Sequence, residues 1–177
     1  YTAASARLTT DELAYVVDDC GARAFITSRY KADQAAAIVG TTPGVELRLM
    51  LDGVAAGHDS YEDAVAQHEP TPLPDRVAGV DMLYSSGTTG RPKGVLPAFE
   101  AKSLEERVTG VTMLMQLLFG MDATKVYLSP APLYHAAPLR FCVATQSLGG
   151  TLVVMPNFDA EEYLAAIEKF GATHTQV

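Results

Sequence analysis

Basic residues are scarce: 13 Lys and Arg stand against 21 Asp and Glu, a formal net charge of −8. No basic cluster with interleaved aromatics occurs, so a chain that tracks a nucleic-acid backbone is not expected. Cysteine is scarce too. Cys20 and Cys142 lie far apart, each in an apolar helical pattern, and read as buried thiols of a reducing compartment rather than as a disulfide framework. His58, His68, His135 and His174 have no Cys or His partner at ligand spacing, which argues against a structural zinc site. No apolar run is long enough to cross a bilayer, and the start has neither the charged nor the apolar region of a secretory signal, so the expected location is cytoplasmic. The chain begins at Tyr1 and stops at Val177 inside an expected strand, and both ends read as cut.

What is present is an ordinary globular composition, 48% hydrophobic and 19% charged over 177 residues, with length enough to bury a substantial core. Thr9-Thr10-Asp11-Glu12 has the form of a capping box, with Leu13, Val16 and Val17 as the apolar face of the helix it opens and Gly21 as its stop. Residues 23–27 then read as a strand, 31–39 as a helix and 46–51 as a strand. A short helix over 61–68 leads into Glu69-Pro70-Thr71-Pro72-Leu73-Pro74, which the alternate prolines keep extended, a connector rather than a domain boundary. Further on, the pattern gives a strand over 79–84 and a long helix from about 101 to 119, with Leu104, Val108, Val111, Met115 and Leu118 at helical spacing. Met113, Met115 and Met121 read as core filler. Strands over 126–129, 151–155 and 173–177 alternate with helices over 138–148 and 159–170, the last opened by Asp159. The fold class is therefore α/β: alternating β-α units with a largely parallel sheet flanked by helices.

One run stands apart from this background: Tyr84-Ser85-Ser86-Gly87-Thr88-Thr89-Gly90-Arg91-Pro92-Lys93-Gly94-Val95. Its glycines let successive N–H groups approach a ligand, its hydroxyls add donors, and Lys93 after the rigid Pro92 neutralises spread negative charge. Such a loop is built to hold a polyphosphate. It is not a Walker A loop, because Gly87 is followed by Thr-Thr-Gly-Arg-Pro-Lys-Gly, and it is not the Gly-x-Gly-x-x-Gly of dinucleotide folds. A plain surface hairpin with a solvated lysine is the alternative that composition alone would allow.

In order and spacing the run resembles the phosphate-loop signature of the acyl-adenylate-forming (AMP-binding) superfamily. That signature reads aromatic-Thr-Ser-Gly-Thr-Thr-Gly-x-Pro-Lys-Gly-Val, so Ser85 in place of threonine is the one departure. The later segment Ser129-Pro130-Ala131-Pro132-Leu133-Tyr134-His135-Ala136-Ala137-Pro138-Leu139 resembles the same superfamily's Pro-Leu-aromatic-His stretch. A Tyr-His pair ahead of a helix is by itself ordinary packing, and it is the pairing with the first motif that gives it a functional reading. The resemblance covers nearly the whole chain, matches least over 95–124, and leans towards fatty-acid and steroid-acid CoA ligases, the acyl-CoA synthetases.

The resemblance implies that residues 1–177 are part of a larger N-terminal domain whose C-terminal companion domain is absent. It implies ATP, Mg2+ and coenzyme A as cofactors and co-substrates, and a small carboxylic acid that is converted to an acyl-adenylate and then to a CoA thioester. Ser85, Ser86, Gly87, Thr88, Thr89, Gly90 and Lys93 would bind the ATP phosphates, and Tyr134 and His135 would wall the acyl pocket. The adenylation lysine and the magnesium ligands would lie beyond Val177, leaving no catalytic residue inside the chain and the piece inactive alone. Two other readings stay open: a peptide-synthetase type of adenylation domain, and a non-catalytic nucleotide-binding or interaction module that kept the loop.

Overall fold

The capping box at Thr9 forms as its sequence requires. In the computed structural model, which describes residues 1–85, 91–104 and 108–176, the Thr9 hydroxyl accepts from the Glu12 N–H. The Glu12 carboxylate in turn accepts from the Thr9 N–H at 2.8 Å. That bond, and with smaller effect the Thr9 hydroxyl donating to the same carboxylate at 2.9 Å, hold the Glu12 carboxyl below its ordinary pKa. Helix α1 (Thr10–Asp19) follows and buries Leu13, Val16 and Val17.

The chain divides into two compact units, Tyr1–Phe99 and Glu100–Val177. In the first, β1 (Ala24–Ser28), β2 (Leu47–Leu51) and β3 (Asp59–Ser60) form a parallel sheet in sequence order. Ala24 lies beside Leu47 and Ser28 beside Leu51. Parallel neighbours need a crossover, and α2 (Ala32–Ala37), flanked by 3-10 turns at Arg29–Lys31 and Val39–Thr41, supplies it between β1 and β2. The expected single helix over 31–39 is thus a short α-helix with a tighter turn at each end. Leu13, Val17 and Ile38 form the core, with Leu8, Phe25 and Val45 packed against them. Helix α3 (Tyr61–Ala66) is capped by Ser60, whose hydroxyl accepts from Asp63 N–H. The same unit carries an antiparallel hairpin of β4 (Leu83–Ser85) and β5 (Lys93–Val95).

The second unit repeats the parallel scheme. The strands β6 (Val126–Ser129), β7 (Thr151–Val154) and β8 (His174–Thr175) lie in the order β7-β6-β8, and helices α5 (Ala136–Ser147) and α6 (Ala160–Phe170) make the crossovers. Asp159 caps α6 by accepting from the N–H groups of Glu161 and Glu162. Met115, Met121, Tyr127, Cys142 and Ala144 form this core. The parallel strands expected from the sequence are present, divided between two sheets.

Three expectations need correction. The long helix over 101–119 is only α4 (Gly110–Phe119). The Thr109 hydroxyl accepts from Thr112 N–H and starts the helix there, and a Thr-Gly pair is a poor helix interior, so the apolar periodicity ran on past the true boundary. Leu104 and Val108 accordingly precede the helix and are exposed, as is Leu118 at 71%. Of the three methionines, Met115 and Met121 fill the core whereas Met113 is half exposed. The strand over 79–84 shortens to β4 and shifts towards the loop, because Val80 and Met82 bond instead to the Tyr1 backbone, Tyr1 N donating to Val80 O at 2.8 Å and Met82 N to Tyr1 O at 2.9 Å. Among the described residues no helix is long and apolar enough to cross a membrane.

Thr9→Ala is expected to destabilise the protein by about 1 kcal/mol at neutral pH. The lowered Glu12 carboxyl adds stability above its ordinary titration range and gives it up as pH falls through its folded-state value, so the Thr9→Ala deficit should shrink in acid. Urea unfolding of both proteins across pH 3–7 measures this.

Candidate active site

The two ends of the signature run pair as antiparallel strands. Their register pairs Leu83 with Val95, Tyr84 with Gly94 and Ser85 with Lys93. Ser85 and Lys93 therefore stand opposite each other at the mouth of the loop, both exposed. The Ser85 hydroxyl points back across the rung towards Lys93 O at 3.5 Å. Ser86, Gly87, Thr88, Thr89 and Gly90, the other expected phosphate-binding residues, lie outside the described residues. Three paired positions per strand make a short ladder, and an isolated two-stranded hairpin is marginal in water, so contacts from outside decide how firmly it stands.

Those contacts come from Tyr84 and Arg91 within the run and from two side chains that reading the sequence did not single out, Tyr15 and Asp19 on α1. Tyr84, on β4, lays its ring across the hairpin over Gly94. A Cβ built on Gly94 would run into Met82 Cε and stand 3.0 Å from Tyr84 Cζ, so any other residue at this rung would force both side chains to shift. Beyond the glycine, the Tyr84 hydroxyl donates to Asp19 Oδ2 of α1 at 2.5 Å. One helical turn earlier, the Tyr15 hydroxyl donates to Pro92 O at 3.2 Å, and the Arg91 guanidinium sits over the Tyr15 ring at 5.0 Å. Burial pushes the Tyr84 phenol pKa well up, reinforced by its bond to Asp19 and by that carboxylate's charge. Desolvation raises Tyr15 as well, with Asp19 adding to it and the Arg91 charge opposing. Both phenols thus remain protonated donors across the physiological range. The sequence signal that could have revealed Tyr15 and Asp19 was their four-residue spacing on one helix face, which is indistinguishable from ordinary surface patterning without the hairpin beside it.

The second motif occupies a separate place, in the second unit. β6 ends at Ser129, and the proline-punctuated turn Pro130-Ala131-Pro132 leads to His135, the residue before α5. An open cavity of about 580 Å³ lies here, lined by Pro130, Ala131, Pro132, His135, Pro138, Phe158 and Gln176. The volume is within the range of about 300–1,000 Å³ usual for small-molecule pockets. His135 is part of its wall. Tyr134 is not, and instead packs its ring against His135 with centroids 4.5 Å apart. The Gln176 side-chain oxygen is buried without a hydrogen-bond partner among the described residues, so a polar acceptor borders an otherwise apolar cavity.

The profile of the family described as AMP-binding enzyme matches residues 1–177. The chain belongs to that family. Among curated AMP-binding relatives it is 35% identical over 137 residues to 4-coumarate–CoA ligase-like 3 of Oryza sativa, covering 72% of this chain and 20% of that protein. It is 30% identical over 184 residues to the medium-chain acyl-CoA ligase Mig of Mycobacterium avium, covering 92% of this chain and 33% of that one. The inhibitor-bound N-terminal domain of FACL13 from Mycobacterium tuberculosis shares the fold with a TM-score of 0.70 at 22% identity, covering 97% of this chain and 42% of that domain. The chain thus spans about a fifth to a third of the length of these curated AMP-binding relatives.

Gly94→Ala is expected to destabilise the protein by about 1–3 kcal/mol through overpacking against Tyr84. Adding Met82→Ala should recover part of that loss, because the methyl at the end of Met82 is the first atom struck. Denaturant unfolding of the single and double variants reads both effects.

Proposed function

We propose that this chain supplies part of the N-terminal domain of an acyl-CoA synthetase, an enzyme that activates a carboxylic acid with ATP and passes the acyl group to coenzyme A. The observation that carries the reading is the hairpin that sets a hydroxyl, Ser85, opposite a cation, Lys93, at the mouth of a Gly/Ser/Thr loop in a member of the AMP-binding family. The remaining groups, among them those for adenine and ribose and the adenylation lysine, belong to sequence that this chain does not include. The small share of its relatives' length that it spans supports that division.

The chemistry explains why such a loop is needed. A carboxylate is a poor acyl donor because its leaving group would be oxide. In the first half-reaction its oxygen attacks the α-phosphorus of ATP, the bond to the β-phosphate breaks, and pyrophosphate leaves with the electron pair. The thiolate of coenzyme A then attacks the acyl carbon and AMP departs, giving the thioester. Negative charge on the β,γ-phosphates grows during the first step, and donors already in place stabilise it without reorganising. Ser85, Ser86, Gly87, Thr88, Thr89 and Gly90 would give N–H and hydroxyl donors and Lys93 an ammonium. Mg2+ enters only at the level of the family: among the described residues no three His, Cys, Asp or Glu gather where a metal could be held.

The acid would lie in the cavity walled by His135, with Tyr134 supporting the imidazole from behind. Its proline and phenylalanine lining suits an apolar acid of fatty or steroid type, and the medium-chain acid of the Mycobacterium avium relative favours the fatty type. Two unpaired thiols, Cys20 and Cys142, suit the reducing conditions of the cytoplasm.

Lys93→Ala in the full-length protein should lower ATP–pyrophosphate exchange by about a hundredfold, with thermal unfolding unchanged. Full exchange in that variant would remove the phosphate-binding role. His135→Ala should change the KM for the acid, compared across a panel of fatty and steroid acids scored by AMP formation, while leaving the KM for ATP as it was; a shift confined to ATP would take His135 out of the acyl pocket.

A further inference from the structure

Residues Tyr15 and Asp19 lie four apart on α1, on the face away from the buried Leu13, Val16 and Val17. From that face they reach both strands of the hairpin. Tyr15 bonds to Pro92 O and carries Arg91 on its ring, both on the approach to β5. Asp19 accepts from Tyr84, on β4. The two attachments fall immediately beside the rung that pairs Ser85 with Lys93. α1 itself is fixed at its start by the capping box and along its inner face by packing against Ile38 and its neighbours. A short hairpin is thereby tied on both strands to a helix that cannot shift without disturbing the core.

We infer that Tyr15 and Asp19 are positioning residues for ATP, holding the two roots of the hairpin so that Ser85 and Lys93 meet the polyphosphate from fixed places. This rests on the phosphate-binding reading of Ser85 and Lys93 given above. Neither Tyr15 nor Asp19 needs to touch the nucleotide. Electrostatic stabilisation depends on donors set in advance, and a displacement on the order of 1 Å can weaken it severely. Burial of the Tyr84 phenol, which keeps it protonated, supports a donor role towards Asp19 throughout the working pH range. Arg91 has a part in the same arrangement: with its charge held over the Tyr15 ring, it is oriented by α1 rather than left free at the loop mouth.

The test uses Tyr15→Phe, Asp19→Ala, Asp19→Asn, Tyr84→Phe and Lys93→Ala in the full-length protein. KM for ATP and KM for the acid are measured separately, alongside thermal unfolding. Removing one hydrogen bond to the hairpin should raise the KM for ATP by about two- to tenfold in Tyr15→Phe and in Asp19→Ala, with the KM for the acid and the unfolding temperature unchanged. Asp19→Asn, which keeps an oxygen to accept from Tyr84, should stay near the parent, and Tyr84→Phe should match Asp19→Ala. If Tyr15→Phe and Tyr84→Phe leave the KM for ATP unchanged while Lys93→Ala is impaired, the positioning role is wrong and the phosphate-binding reading stands. If Lys93→Ala is also fully active, both fall. An equal rise in the two KM values with a lower unfolding temperature would make these residues structural supports only, and would equally overturn the inference. Should Asp19→Ala fail to fold, Tyr84→Phe, which removes a single oxygen, decides the matter.

Discussion

The antiparallel pairing of Leu83–Ser85 with Lys93–Val95 is the constraint on which the functional part of the molecule depends. Register in a β-ladder is all or nothing: a slip of one residue would turn Lys93 to the opposite face and break the match between Tyr84 and Gly94. Gly94 favours the native register, since its missing side chain leaves room for the Tyr84 ring and the Met82 methyl at this rung. The hydroxyl of Tyr84 then finds Asp19 only when the ring lies across that glycine. Backbone pairing, one absent side chain and one aromatic ring thus select the same arrangement.

The two parallel sheets provide the frame. Each needs covered faces, and α1 in the first unit and α4 and α5 in the second supply apolar contacts to the cores centred on Ile38 and Tyr127. Within the second core the Tyr127 hydroxyl is buried without a hydrogen-bond partner among the described residues. Burial accordingly drives the Tyr127 phenol pKa upward, keeping it neutral. The Cys142 thiol is raised for the same reason, which makes it an inert packing group rather than a nucleophile.

Much of the frame was legible in the sequence because local signals there agree with the fold. The capping box at Thr9, the cap at Asp159 and the strands read over 23–27, 46–51, 126–129 and 151–155 all point to elements that form within a residue or two of where they read. The alternation of strands and helices implied parallel pairing, and parallel pairing is what both sheets show. The start of α4 was not legible, because the apolar spacing of Leu104 and Val108 mimics a continuing helix while the decision lies with one threonine hydroxyl at position 109. For the candidate site, the motifs at 84–95 and 129–139 are what point to the phosphate run and to Tyr134 and His135, and the roles given to these residues are proposals. Tyr15 and Asp19 could not be read from a motif, since their significance depends on a hairpin some seventy positions away in the chain. Tyr134, read with His135 from the second motif, packs its ring against His135 and does not line the cavity beside it.

The tie between α1 and the hairpin bears on protein engineering. A chimera that transplants residues 84–95 into another member of the AMP-binding family, without tyrosine and aspartate at the matching helix positions, would carry the run but leave its footing behind. Compatible donors are those whose first helix travels with the loop, which makes α1 and the hairpin a single exchangeable module even though the intervening parallel strands separate them in sequence.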